Sequence, residues 1–553
     1  MGESWLSNCR REHLECALHE SHQIALPTRV INVGSMSQPP FLHVSGNDEI
    51  GKWVALSYCW GGDSPFTLNK DSFSRLQSGL PLSDFPPTLR DAILVTRALG
   101  VQYIWIDSLC IFQDDANDWA IEASRMGNVY RYATLTIAAT SAESVNAGFL
   151  DKREQFFNCA LTWSPERGPQ DEPQNILQKY PIFARKVHRR AGEYFTARSR
   201  WASRGWTFQE ELLSPRLLQY TPGRMVWRCP KGVAIEPDSD TSSGSPYLVS
   251  DLKDIISESN NESQSVNYDI QSLPIDVTYK AWYSLVSQYS SRYLTYDKDC
   301  LPAIAGFAKF FQAKLNDQYC AGLWKQDMLY GLLWSTWPKD SSTGGKSSAQ
   351  AMREISSERA RPSWSWITAF DMKMDWPHRS DGLTYSAKLI DVEVYGGTGD
   401  DFGRISGGKL TLEAPYRDIN LRRSSTVLSL AGKLQKLTEI VLDRPEYLAG
   451  TESSRSAVVS LSYIAQRFIL IEVMRCSNSH RPGIWLLVLQ PVAVDVPEAA
   501  GQQVYRRVAL VYLQPWEYDD ENSKEEEHAN RLQDAAYRAV QKEVWLRSTF
   551  AMI

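Results

Sequence analysis

Three carboxylates stand among aromatic residues in the first half of the chain, where their surroundings could give them chemistry. Asp107 closes the strand-like run VQYIWID (101–107), and ligands of open α/β sheets bind at the carboxyl ends of strands. Glu122 lies three residues after Trp119 and four before Met126, at the edge of the buried stripe of a helix. A carboxylate there has its pKa raised, as acid/base or electrostatic catalysis requires. The plainer role is a half-buried salt bridge with Arg125, one helical step away. Glu210 shares a face with Trp206 and Leu213 in a short helix that also bears Arg204. Its plainer role is a clamp holding that helix to the sheet, with Arg216 as candidate partner.

A second group could hold metal. Cys9, His13 and Cys16 fall at i, i+4 and i+7, one face of a helix, and His19 is a candidate fourth donor. Soft N and S ligands suit tetrahedral zinc, but this spacing is not a common finger or ribbon pattern. The alternative is a short helix packing Cys16 and Leu14 onto the body. Cys59 and Cys110 stand near strand ends, where a nucleophile could act. No nearby His offers a base, so each fits better as a small buried apolar residue. GGKSS (344–348) is no phosphate loop, because Asp340 stands where its first Gly belongs and no strand precedes it. Without a GxGxxG after a strand or an HExxH, dinucleotide-fold dehydrogenases and zincins have no support.

Elements to position these groups are legible between 53 and 140. WVALSYCW (53–60) is a buried strand closed by Gly61-Gly62-Asp63, and VQYIWID and TLTIAAT (134–140) are two more. Between them, Leu89, Ala92, Ile93, Thr96 and Leu99 mark a helix that Gly100 stops. Trp119, Ala123, Met126 and Tyr130 mark a second helix, preceded by Asp114 and Asp115. Strand and helix in alternation predict an α/β layer with a parallel sheet. RGWTFQEELLS (204–214) reads as a helix with Ser203 as candidate N-cap, followed by strands RLLQY (216–220) and RMVWRC (224–229).

Around this core the expected organisation is a helical lead-in over 1–49, the α/β domain over 50–230 and a flexible excursion over 231–273. A helical region over 274–338, a flexible linker over 339–360 and a β-rich region over 361–553 with a terminal helix follow. The 553 residues, 43% apolar and 22% charged, describe an ordinary folded protein rather than a disordered or fibrous one. A net charge of −6 advertises no nucleic-acid or anionic-lipid partner. Nine Cys, an odd number spread over a long chain, point to a reducing compartment, and no apolar run approaches the about 18 residues of a membrane span. A cytoplasmic protein is expected.

Three ordered blocks carry a family resemblance: VALSYCWGG (54–62), YIWIDSLCIFQDDANDWAIEASRMGNVYRYATLTIAAT (103–140) and SRGWTFQEELLSPRLLQY (203–220) with VWRC (226–229). In these the chain resembles the fungal heterokaryon incompatibility (HET) domain family. The motif positions are Ser57, Tyr58, Trp60 and Gly61 in the first block, Asp107, Cys110, Gln113, Trp119 and Glu122 in the second, and Trp206, Gln209 and Glu210 in the third. The resemblance implies non-self recognition, in which incompatible fusion triggers growth arrest or regulated cell death, through self-association or partner proteins of an incompatibility system. HET domains have been compared with Toll/interleukin-receptor (TIR) domains, some of which cleave NAD. LSY (56–58) is similar to the TIR first-strand ending, and DWAIE (118–122) to its Trp-and-Glu helix, here with three residues from Trp to Glu where TIR domains usually have four. A TIR-like fold would make Glu122, with Asp107, the candidate catalytic carboxylates and NAD a candidate substrate; no other cofactor is implied.

Overall fold

The computed structural model describes residues 1–14, 16, 24–62, 66–150, 158–163, 180–185, 199–236, 238–242, 274–337, 339, 361–370, 372–379, 382–396, 402–424, 427–431, 440–441, 467–477, 482–492, 503–513 and 545–553. They form two compact units, Met1–Val249 and Ser250–Ile553. Among the described residues no helix is long and apolar enough to cross a membrane.

The first unit opens with α1 (Gly2–Glu12), then β1 (Arg29–Asn32), β2 (Phe41–Val44) and β3 (Trp53–Ser57). All five residues of β3 are buried, as expected of a strand covered on both faces. It gives way to α2 (Phe73–Ser78) and α3 (Pro87–Ala98). Helix α3 starts with Pro at its first position, where no backbone donor is lost, and Gly100 at φ +68 ends it as the sequence predicts. Next come β4 (Tyr103–Trp105), the one-turn α4 (Asp107–Cys110), α5 (Ala116–Tyr132) and β5 (Leu135–Ala138). Asp115 caps α5, accepting the N–H groups of Asn117 and Asp118 at 2.9 and 3.1 Å. A hairpin of β6 (Asn158–Trp163) and β7 (Tyr180–Arg185) stands apart from the main sheet. The unit closes with α6 (Gly205–Leu212), β8 (Leu217–Tyr220), β9 (Met225–Cys229), β10 (Gly232–Ile235) and β11 (Asp238–Ser242).

Nine strands make one sheet in the order β11-β10-β9-β8-β5-β3-β4-β1-β2. The inner four, β8, β5, β3 and β4, are parallel, and both flanks are antiparallel. In chain order the parallel strands sit 2-1-3-4. The connection leaving β3 for β4 moves one way and the two that follow move the other. With right-handed crossovers, α3 therefore lies on one face and α5 and α6 on the opposite one. Such a sheet has its switch point where the direction changes, at the carboxyl ends of β3 and β5.

Several boundaries differ from the sequence pattern. β4 stops at Trp105, so Asp107 opens α4 instead of closing the strand. Arg204, not Ser203, is the cap residue of α6 and makes no side-chain cap. The stretch expected to be a flexible excursion from 231 begins with two ordered strands: the apolar β10 (GVAI) pairs with β9, and the polar β11 pairs in turn with β10, which supplies backbone bonds that its side chains do not advertise. The GGKSS run lies outside the described residues.

In the second unit, helices Ile275–Ser290 and Ala305–Leu315 pack an aromatic core in which Trp282 meets Phe311, Tyr319 and Trp324 edge-on. The rest is β-rich. A second nine-stranded sheet is built on Gly407–Ser424, Arg467–Cys476, Gly483–Val492 and Val504–Leu513. RPSWSWI, expected to begin the β-rich run, instead leads into a 3-10 turn at Trp366–Ala369, with Trp364 and Trp366 fully buried. Most of the expected terminal helix lies outside the described residues, and Leu546–Met552 is a strand of this sheet.

Candidate functional site

The end of β3 organises the first cluster. Ser57, its last residue, is buried; its hydroxyl donates to the Glu210 carboxylate and accepts from Trp201 Nε1 at 2.6 Å. Glu210 reaches it from α6 and is 3% exposed. The Tyr58 hydroxyl donates to Ser108 Oγ at 2.8 Å, and its carbonyl accepts from the Arg204 guanidinium. Trp60 Nε1 donates to Asp107 Oδ2 at 2.9 Å, while Asp107 Oδ1 accepts the Ser108 N–H at 2.7 Å. Gly61 turns the chain at φ +83, where a Cβ would come within 2.1 Å of Ser144 Cβ. Trp119 and Trp206 meet edge-on between α5 and α6, centroids 6.2 Å apart. Gln209 is fully buried, and the exposed Gln113 donates to the Ile111 carbonyl at 2.9 Å.

Two carboxylates thus lie around one guanidinium, since both Glu210 and Asp107 attract Arg204. Burial pushes Glu210 up to about 7, against the pull of Arg204 and the Ser57 bond, with Asp107 adding to the rise. Asp107 keeps part of its surface open. Burial still lifts its carboxyl above the usual range, opposed by the Trp60 bond and Arg204. Near neutral pH Glu210 can therefore take up or release a proton, the condition for acid/base chemistry.

Glu122 belongs to a different cluster, on the β1 side of the sheet. It accepts from Thr28 Oγ1 at 2.7 Å and pairs with Arg125 at 3.6 Å and Arg29 at 3.9 Å. Arg29, 7% exposed, grips both oxygens of Asp118 at 2.7 and 2.6 Å and donates Nε to the Cys110 carbonyl at 2.7 Å. Burial raises the Glu122 carboxyl, and Thr28 and the two arginines pull it back. The Arg125 pair read from the helix is present; Thr28 and Arg29, some ninety residues upstream, carried no signal. Arg216, expected to pair with Glu210, instead donates to the carbonyls of Thr134 and Cys16 at 3.0 and 2.7 Å. Ser57 takes its place in clamping α6 to the sheet.

Cys59 and Cys110 are buried, as expected of small apolar residues, and burial pushes the Cys110 thiol up to about 12. Cys9, His13 and Cys16 do converge, but on Cys229 of β9; His19 lies outside the described residues. Leu14, expected to pack inward, is 74% exposed.

Fold and site together define a doubly wound α/β domain with a buried acidic cluster at the carboxyl ends of its parallel strands. Residues 53–210 match the model of the family described as Heterokaryon incompatibility protein (HET), so the chain carries a HET domain over those residues. Neither the curated proteins nor the solved structures give a match.

Proposed function

We propose that the protein acts in heterokaryon incompatibility, as the element of a non-self recognition system that triggers regulated cell death. The observation that carries this is the HET match itself, which spans three of the four parallel strands, β3, β4 and β5, and includes Asp107, Arg204 and Glu210. The proposed setting is the cytoplasm, with self-association or partner proteins of the incompatibility system as the trigger.

A second function, NAD cleavage as the killing step, is favoured by the strand order. The 2-1-3-4 sheet puts its switch point beside Tyr58, Trp60 and Asp107, where a nucleotide would be expected to bind. In this step the bond between nicotinamide and ribose C1′ breaks and nicotinamide leaves with the electron pair. Water then adds to the cationic ribose and releases a proton, giving ADP-ribose. A carboxylate stabilises the developing positive charge, and Asp107 or Glu122 is proposed for that role, with Glu210 able to accept the proton.

Induced expression of the full chain in a fungal host, with cellular NAD measured alongside viability, tests both. Death at normal protein abundance is expected for wild type, with NAD lost before viability. Asp107→Asn or Glu122→Gln, whichever removes the responsible carboxylate, should spare both. Death with NAD intact would exclude the cleavage step and leave recruitment of partners as the mechanism. Wild-type cells that grow unimpaired with assembled protein present would overturn the incompatibility role. Purified protein, dilute and concentrated, should consume NAD only when assembled if the second function holds.

A further inference from the structure

One ligand atom each from Cys9, His13, Cys16 and Cys229 lies within 4.8 Å of the other three. The geometry has three contributions. Cys9 points inward from α1 beside the buried Trp5 and Leu6. Helix α1 then stops: His13 is extended at φ −111, ψ 92, so the three N-terminal donors do not share one helical face but wrap around a point. Cys229 arrives from the other end of the domain sequence as the last residue of β9. Its sulfur is 3.4 Å from His13 Nδ1. In a zinc tetrahedron with bonds of about 2.3 Å to sulfur and about 2.0 Å to nitrogen, ligand atoms stand ~3.5 to 3.8 Å apart. The four donors are therefore already close to coordination spacing. The cysteines are 2 to 4% exposed, whereas His13 retains access to solvent.

We propose that Cys9, His13, Cys16 and Cys229 form a structural zinc site that fastens the N-terminal segment to the sheet. Three thiolates and one imidazole make a closed soft donor set, which selects zinc over magnesium, calcium or manganese and leaves no position for a reacting water. Surrounding groups suit bound thiolates. The N–H groups of Lys231 and Gly232, in the tight turn after Cys229, hydrogen-bond its sulfur. Arg216 donates Nε to Cys9 Sγ at 3.4 Å and another nitrogen to the Cys16 carbonyl. Three thiolates on a divalent ion carry one net negative charge, and the buried guanidinium offsets it. The metal ties residues more than 200 positions apart, so its binding free energy acts as folding free energy for the unit.

Full-length protein purified without chelator should contain about one zinc per chain. Replacing the metal with cobalt(II) should give the intense visible absorption of a tetrahedral ion and a near-ultraviolet thiolate-to-cobalt band. Cys229→Ser should weaken that band by about a third, as one of three thiolates is lost, whereas His19→Ala should leave the zinc content unchanged. If Cys229→Ser proves insoluble, the wild-type cobalt spectrum decides alone. Metal-free folded wild type that takes up neither zinc nor cobalt would overturn the site. So would a mass showing two of the three cysteines joined as a disulfide, or zinc retained in a Cys9→Ser/Cys229→Ser double variant.

Discussion

Replacing Glu210 by Gln should change how stability depends on pH more than it changes stability at any one pH. Burial at the end of β3 raises this carboxyl from 4.5 to about 7 despite Arg204 and Ser57, so the fold favours the protonated acid. That preference is fully present below pH 4.5 and is lost as pH rises through about 7. The rise corresponds to about 3 kcal/mol at 1.36 kcal/mol per pKa unit. Gln has the shape of the protonated acid and keeps an oxygen to accept from Ser57, but it cannot ionise. Near pH 4 the variant should be somewhat less stable than wild type, by about 1 kcal/mol for an imperfect hydrogen bond. Above pH 8 it should be the more stable by about 2 kcal/mol. For a unit of this size that crossover amounts to roughly 6 to 12 °C in relative melting temperature between pH 4 and 8.5. Thermal melts of both proteins across that range decide the matter. Parallel curves would mean that Glu210 titrates like an ordinary carboxylate, and the proton-holding cluster would go with it.

Arg29→Leu should cost about 3 kcal/mol, because it strands Asp118 and Glu122 in a largely buried place; a loss under about 1 kcal/mol in denaturant titration would show that water already solvates both. Gly61→Ala should cost at least about 2 kcal/mol, since the residue would take φ +83 with its Cβ 2.1 Å from Ser144 Cβ. An unchanged melting temperature would mean that the turn relaxes freely.

Local pattern was enough to find the core elements. The spacing of Leu89, Ala92, Ile93, Thr96 and Leu99 with Gly100 behind it marked α3, the stripe from Trp119 to Tyr130 behind Asp114 and Asp115 marked α5, and a mostly apolar run marked β3, because each of these signals is written within a few residues of where it acts. The motif blocks likewise placed Asp107, Glu122 and Glu210 on elements near the sheet. Which carboxylates would meet was not local information. Asp107 and Glu210 gather around Arg204, while Glu122 faces Arg29. That partition follows from the 2-1-3-4 strand order, which spacing along a helix cannot encode. Arg216 shows the same limit: proximity in sequence suggested Glu210, but just ahead of β8 its side chain reaches Cys9 and Cys16. The N-terminal donors were legible as Cys9, His13 and Cys16. Their fourth partner was decided by antiparallel pairing at the sheet's flank, which brings Cys229 to a residue 216 positions earlier. The sequence by itself determined which residues could be ligands, acids or turns, since that is a property of side chains and short backbone stretches. Only the tertiary structure decided their company, because burial, charge pairing and coordination depend on strands that neighbour in space and not in the chain.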